Sequence, residues 1–180
     1  MSRRFGLRPG VLVRPFEPDH ADELFAVVDA ERERLGAWLA WVHLVRNAED
    51  ERAWIAGTRD PLERLGIFVD GRIGGGIGMH RDPFGVWGEI GYWIASAFEG
   101  RGLVTEATRA LIDHGFRELG LHRIEIQAAP GNARSRAVPE RLGFRREGVR
   151  REAGRTSGGY VDLVVYGLLE GEWPDGGGYL

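Results

Sequence analysis

An arginine flanked by two glycines sits where a strand runs into a helix. Tyr92-Trp93-Ile94 reads as the end of a strand, Phe98-Glu99-Gly100-Arg101-Gly102-Leu103-Val104 follows, and a helix opens at Thr105-Glu106-Ala107. Glycines just before a helix leave backbone N–H groups open to an anion, and the helix dipole adds attraction for negative charge. A pyrophosphate would fit such a loop, with Arg101 placed to take a further phosphate. The same residues would also make a plain strand-to-helix turn, since one Gly-rich loop is weak evidence alone. A second stretch adds to it: Arg123-Ile124-Glu125-Ile126-Gln127-Ala128-Ala129, then Pro130-Gly131-Asn132-Ala133-Arg134-Ser135, and further on Glu140-Arg141-Leu142-Gly143-Phe144.

Other chemistries lack their residues. The 180-residue chain has no cysteine, so it has no disulfide framework, zinc-thiolate site or thiol nucleophile. All 24 basic residues are arginine, which removes Schiff-base catalysis and the P-loop lysine. The net charge of −3 argues against a nucleic-acid coat, which rests on neutralising phosphates. His80, His114 and His122 show no metal-ligand spacing, so no metal is expected. Gly74-Gly75-Gly76-Ile77-Gly78 does not match the dinucleotide fingerprint; its glycines read as keeping a strand face clear for a neighbour or ligand. The basic N-terminus, Met1 to Gly10, is not followed by an apolar stretch of signal or membrane-spanning length, so a cytoplasmic protein is expected. Arg145, Arg146, Arg150, Arg151 and Arg155 form a basic cluster, either a solvated face or a surface for an acidic partner.

The length suits one domain, residues 1–180, with a Gly-rich tail from Pro174 to Leu180. Val11 to Pro15 reads as the first strand. Asp19 is a candidate N-cap, with Leu24, Val27, Val28, Glu31 and Leu35 keeping helical spacing after it. Asn47 could cap a second helix through Trp54 and Ile55 that stops near Asp60-Pro61. Leu65–Val69 and Ile73–Met79 flank Asp70-Gly71, a strong hairpin signal. Val86 to Ile94 is a strand, Leu103 to Leu119 the clearest helix with Gly120 after it, and Arg123 to Ala129 a strand. Asn132 can cap a short helix to Arg141, Gly143 ends it, Phe144 starts another strand, and Val161 to Leu169 is the last. The fold class is α/β in the broad sense (α+β mixed): a central mixed, mostly antiparallel sheet flanked by helices.

These motifs together resemble the GNAT superfamily of N-acetyltransferases, and most closely its Rim group, which acetylates the N-termini of ribosomal proteins. Phe98 to Ala107 matches the Rim-type loop almost throughout, with Glu99 at the family's Gln position, Gly102 at its central Gly and Val104 at its last small position. Arg34 to Val42 is similar to the acceptor segment, and Asp162 to Leu169 to the last strand. The resemblance implies a GNAT-like fold and acetyl-CoA as cosubstrate. Trp93, Ile94 and Ala95 would pair with pantetheine, Glu99, Gly100, Arg101, Gly102, Leu103, Val104 and Thr105 would cradle the pyrophosphate, and Asn132 would hold the pantetheine arm.

It also implies direct attack of an amine on the thioester, without an acyl-enzyme. Glu89 is the candidate base, with burial beside Trp87 and Trp93 raising its proton affinity; an ordinary cross-strand Glu is the alternative. The Tyr that relatives use as acid is replaced by Pro139, leaving Ser135 as the candidate acid, unless it merely satisfies a backbone amide. Trp38 and Trp41 would border the acceptor groove or serve as core anchors. The implied acceptor is a protein or peptide N-terminus, with a small amine or a non-catalytic acyl-CoA-binding role as alternatives. No nucleic acid and no membrane are expected as partners, and a homodimer remains an open option.

Overall fold

The computed structural model describes residues 4–57 and 60–174. Its sheet strands are β1 (Phe5–Arg8), β2 (Val11–Pro15), β3 (Leu65–Val69), β4 (Arg72–Arg81), β5 (Trp87–Ile94), β6 (Arg123–Ala128), β7 (Arg145–Thr156) and β8 (Gly159–Leu169). Between them lie α1 (Ala21–Ala30), α2 (Arg32–Gly36), α3 (Ala48–Ala56), α4 (Leu103–Arg117) and α5 (Ala133–Arg141). The eight strands form one sheet in the order β1-β2-β3-β4-β5-β6-β8-β7, antiparallel except where β5 meets β6. Asp70 and Gly71 join β3 to β4 at φ 49° and 80°, the mirror-image turn that the Asp-Gly pair favours. Among the described residues, no helix is long and apolar enough to cross a membrane.

Each sheet face carries its own core. On one face α4 and α5 bury Leu103, Leu111, Ile112, Phe116 and Val138, with Leu142 just after α5, against Met79, Ile90, Ile124, Ile126 and Tyr166. On the other, α1, α2 and α3 bury Leu24, Val28, Leu35 and Ile55 against Phe68 and Ile73. The Gly-rich run in β4 does what the sequence suggests: a Cβ on Gly76 would lie 2.4 Å from the Trp93 indole nitrogen. The bare strand thus lets an aromatic ring lie flat on it.

Three expectations need correction. β1 lies inside the segment read as a plain basic N-terminus, where four residues next to Pro9-Gly10 give too short a pattern to register as a strand. Asp19 is not the helix cap; it sits in a 3-10 turn, Pro18–His20, and α1 begins at Ala21. The helix expected to run on through Leu35 breaks at Glu31, at φ −105° and ψ 7°, where the Glu31 carboxylate turns to bind Ser96 and Arg34. By contrast Asn47 does cap α3, its Oδ1 accepting from the Asp50 amide at 3.0 Å. The Gly-rich tail beyond Pro174 and the first three residues lie outside the described residues.

α5 contains Pro139 in its interior. Proline has no N–H, so the carbonyl four residues earlier, that of Ser135, loses its helical donor. The hydroxyl of Tyr92 replaces it, donating to the Ser135 carbonyl at 2.8 Å. A side chain from β5 thereby completes the backbone bonding of α5, and the two elements are pinned together.

Tyr92→Phe should therefore destabilise the fold by about 1–3 kcal/mol, the range for an orphaned buried acceptor. Adding Pro139→Ala supplies the missing N–H and should recover most of that loss in denaturant unfolding. An undiminished loss in the double variant would refute the compensation.

A second prediction concerns Glu51 on α3, which is 3% exposed and has an Oε1 without a hydrogen-bond partner. Burial, with the neighbouring Asp50 charge, pushes its carboxyl up to about 7 from 4.5. Because the folded value lies above the unfolded one, the unfolded chain releases this proton first. Stability then falls as pH rises from about 4.5 to 7, by at most about 3 kcal/mol. Glu51→Gln should match the parent at pH 4.5 and melt at a higher temperature at pH 8. Equal melting temperatures at pH 8 would show that the burial carries no such penalty.

Candidate active site

β5 and β6 are paired over only three positions, Trp87↔Arg123, Gly88↔Ile124 and Glu89↔Glu125. Beyond Glu89, β5 stays with β4 as far as Ile94↔Gly75, and β6 stays with β8 as far as Ala128↔Val164. The sheet therefore splits into a wedge that narrows to Glu89 and opens towards α4 and α5. The backbone alternation of β5 is fixed by Trp87, which accepts from Asp82 N at 3.0 Å, and Ala95, which donates to Gly74 O at 2.8 Å. Odd-numbered residues thus spend their backbone groups on β4, and Tyr92 and Ile94 face the wedge. Of Trp93, Ile94 and Ala95, the residues expected to pair with pantetheine, only Ile94 turns its backbone to the gap.

At the wide end stands the N-terminus of α4. Gly100 and Gly102 adopt φ 72° and 76°, a region that side chains with a Cβ enter at a steric cost. Gly102 is the N-cap and offers no side-chain cap, so the amides of Leu103, Val104 and Thr105 lack intrahelical acceptors. Arg8 of β1 donates to the Arg101 carbonyl at 2.8 Å and pairs with Glu106 at 3.0 Å. Arg141 donates to the Thr105 hydroxyl at 3.0 Å. Arg8, Arg101 and Arg141 thus surround open helix amides, an arrangement that suits a multiply charged anion. The sequence reading found Arg101 and missed the other two, which arrive from β1 and α5.

Glu99 does not join this cradle through its side chain. Its Oε1 accepts from Arg34 Nη1 at 2.7 Å, and its Oε2 accepts from Arg134. Its backbone amide is spent on Ser96 O at 3.2 Å. Arg34 also donates to the Ile94 carbonyl at 2.7 Å and to Glu31 at 2.5 Å. Burial alone would raise the Glu31 carboxyl, but bonds from Ser96 and Arg34 outweigh that and hold it below its ordinary value. Glu99 is better described as a bracket between α2 and α5 than as a phosphate contact.

Asn132 caps α5, its Oδ1 accepting from Ser135 N at 3.1 Å. Its Nδ2 has no protein partner among the described residues and remains a donor for a ligand carbonyl. Because Asn132 caps the helix, the Ser135 hydroxyl is not needed there, and it too has no protein partner among the described residues. Trp41 packs on Trp93 with ring centroids 6.3 Å apart. Trp38 is 40% exposed, and its ring edge would touch a Cβ on Gly131 at 3.5 Å. The segment after α2 therefore spans the sheet from β4–β5 to the start of α5. The tip of the β7–β8 hairpin meets it, Ser157 N donating to Gly36 O at 3.3 Å.

Glu89 lies at the narrow end of the wedge, on the α1–α3 side of the sheet. Its Oε2 accepts from Gln127 Nε2 at 3.1 Å. Burial, followed by repulsion from Glu125, raises its proton affinity, while Arg150 and His80 oppose the rise. Beside it on the same face, a Cβ on Gly91 would meet no atom within 4 Å. An open notch thus adjoins a partly buried carboxylate of raised basicity. Gln127 was read only as a strand residue; its period-2 relation to Glu125, which pairs with Glu89, was the signal for it.

Comparison with known proteins shows the family. Residues 11–145 match the family described as the acetyltransferase (GNAT) domain. The "Putative ribosomal N-acetyltransferase YdaF" of Bacillus subtilis (strain 168) is 40% identical over 171 residues, covering 91% of this chain and 93% of that protein. The ribosomal-protein-serine acetyltransferase of Escherichia coli (strain K12) is 29% identical over 157 residues, covering 84% and 88%. Among solved structures, Mycobacterium smegmatis RimJ in complex with CoA-disulfide superposes with a TM-score of 0.81 at 26% identity, covering 92% of this chain and 84% of that one. The chain belongs to the GNAT acetyltransferase family and is an N-acetyltransferase related to the ribosomal-protein acetyltransferases.

Proposed function

We propose that the enzyme moves an acetyl group from acetyl-CoA to the N-terminal α-amine of a protein. The observation that carries this reading is the wedge: open helix amides and arginines at its wide end, β5 backbone without a strand partner along it, and Glu89 at its narrow end. In this reading the pyrophosphate meets the amides of Leu103 to Thr105, and the pantetheine arm runs along Tyr92 and Ile94 with Asn132 Nδ2 opposite. The amine nitrogen attacks the thioester carbon, forming the C–N bond as the C–S bond breaks. Glu89 accepts the amine proton, and the Ser135 hydroxyl protonates the departing thiolate and is reprotonated from water.

Two considerations favour an α-amine. Direct attack needs the neutral form, which is roughly a tenth of an α-amine at pH 7 but only about one in 2,500 of a lysine side chain. The difference is about 3.4 kcal/mol that the enzyme need not supply. The segment from Trp38 to Trp41 also spans the sheet, with the β7–β8 hairpin against Gly36, which suits end-on entry by a chain terminus. The ribosomal-protein names of the relatives support a protein acceptor, and such an enzyme would work in the cytoplasm.

Acetyl-CoA at a hundred times its Kd should stabilise the fold by about 2.7 kcal/mol. Peptides with a free N-terminus should consume the thioester and gain an N-terminal acetyl group by mass spectrometry. N-terminally blocked peptides with a free lysine should react far more slowly. No thermal shift with acetyl-CoA, or equal acetylation of lysine, would overturn the reading.

Steady-state kinetics on two variants separates the acid from the acceptor site. Ser135→Ala should lower kcat about ten- to a hundredfold with acetyl-CoA affinity retained, at or below the low end of general-acid effects. Gly91→Val fills the open notch and should raise the acceptor KM several-fold without changing acetyl-CoA affinity. Wild-type turnover in Ser135→Ala assigns thiolate protonation to water, and an unchanged acceptor KM in Gly91→Val removes the acceptor from that notch.

A further inference from the structure

Glu89 does not stand alone on its sheet face. Gln127 lies on the neighbouring β6, and its two amide atoms have different partners: Nε2 is 3.1 Å from Glu89 Oε2, and Oε1 is 3.1 Å from Arg150 Nη1. An arginine can only donate, so the Gln127 atom facing it must be the oxygen, and the atom facing Glu89 must be the NH2 group. Arg150 belongs to β7, the edge strand, and reaches over β8 to make this contact. β7 slips register on both sides of it, between Arg146 and Gly148 and between Arg150 and Gly154. The second slip is held by Asp162, which accepts from Glu152 N at 2.8 Å, with Glu152 at φ 49°. Such bulges re-aim side chains, and the one re-aimed here points at Gln127.

We propose that Arg150 and Gln127 form a polar relay that positions the Glu89 carboxylate, fixing one oxygen so that the other is presented to the acceptor amine. The relay extends the reading of Glu89 as general base, on which it rests. A base must be held within hydrogen-bond reach of the proton it takes, and a base oriented by a third group is the usual arrangement. Gln127 performs that task with a neutral amide, and Arg150 fixes the direction in which the amide points. Glu89 Oε1 has no hydrogen-bond partner among the described residues, so it is the oxygen left to act. Three ionisable groups bear on Glu89: Glu125 beside it on β6, Arg150 on β7, and His80 on β4, which is itself bound to Glu63 at 2.9 Å. Glu125 is tied to Arg123 at 2.8 Å, and Arg123 is tied in turn to Glu147. The base is thus set between a repelling carboxylate and an attracting relay.

The test is the pH dependence of kcat/KM with a free-N-terminus peptide, whose acid limb reports the base in the free enzyme. Gln127→Met removes a bond to the charged form, and Arg150→Met removes the orienting donor and a positive charge. Both should move the acid limb to higher pH and lower the plateau about tenfold, with acetyl-CoA affinity unchanged. Arg150→Lys keeps a donor and should recover part of the loss. Glu125→Gln removes the repulsion and should move the limb the other way, to lower pH. In a Glu89→Gln background, Gln127→Met should have no further effect. An acid limb that stays fixed in Gln127→Met and Arg150→Met overturns the relay, as does a tenfold loss that persists in the Glu89→Gln background. Full activity in Glu89→Gln alone refutes Glu89 as base and the relay with it, so the two failures give different results.

Discussion

The molecule turns on a parallel strand contact only three residues long. β4 and β5 pair antiparallel over seven positions and β6 and β8 over six, so each half of the sheet is well tied internally. The two halves share only the β5–β6 contact that ends at Glu89↔Glu125. Twist accumulates within each half, and past Glu89 the halves diverge. Divergence leaves backbone groups of Tyr92 and Ile94 without strand partners in the middle of a sheet, where such groups need satisfaction from elsewhere. A single topological choice therefore produces a cleft with a fixed narrow end, a polar wall and a helix end at its mouth.

Side chains from distant parts of the chain stitch that cleft. Arg34 of α2 donates to the Ile94 carbonyl and to Glu99, and Arg134 of α5 takes the other Glu99 oxygen. Glu99 thereby links α2 to α5, on the far side of the wedge. Arg34 and Glu99 are partly exposed, so the energy of the pair is modest; its geometry matters more. It sets the position of α2 relative to the loop before α4, and through Glu31 and Ser96 it also explains why α1 and α2 are two helices.

Much of this was legible in the sequence. Helical spacing found α4, Asp70-Gly71 fixed the β3–β4 hairpin, and Asn47 and Asn132 announced their helices because a cap is a local event. The open glycine loop was visible for the same reason. What escaped depends on contacts distant in sequence. Arg8 reaches α4 from a strand of four residues, too short for its alternation to be read. The break at Glu31 coincides with a bond to Ser96, 65 positions away. Which β5 residues turn their backbone to the wedge depends on which neighbour takes their backbone bonds, so the alternation that leaves Tyr92 and Ile94 facing it could not be read from the sequence. Glu99 was aligned to a loop position, yet its side chain is claimed by Arg34 and Arg134. The relay of Gln127 and Arg150 needs the register of three strands at once.

Pro139 brings local and distant effects together. It stands where relatives are expected to place an acidic tyrosine, and its missing N–H draws the Tyr92 hydroxyl to the Ser135 carbonyl. Burial raises the Tyr92 phenol well above its usual range, although the Ser135 contact works against this. A phenol so disposed, with its proton given to a carbonyl, is a poor acid for a leaving group. On the proposed chemistry that loss is tolerable: a departing thiol with a pKa near ~8.5 needs far less help than an alkoxide would. The proposal gives that smaller task to the Ser135 hydroxyl, which the Asn132 cap leaves unclaimed. In the same proposal the demanding proton transfer is the one from the incoming amine, assigned to the narrow end of the wedge, where Gln127 of β6 holds Glu89 of β5 and Arg150 reaches in from β7 to hold Gln127.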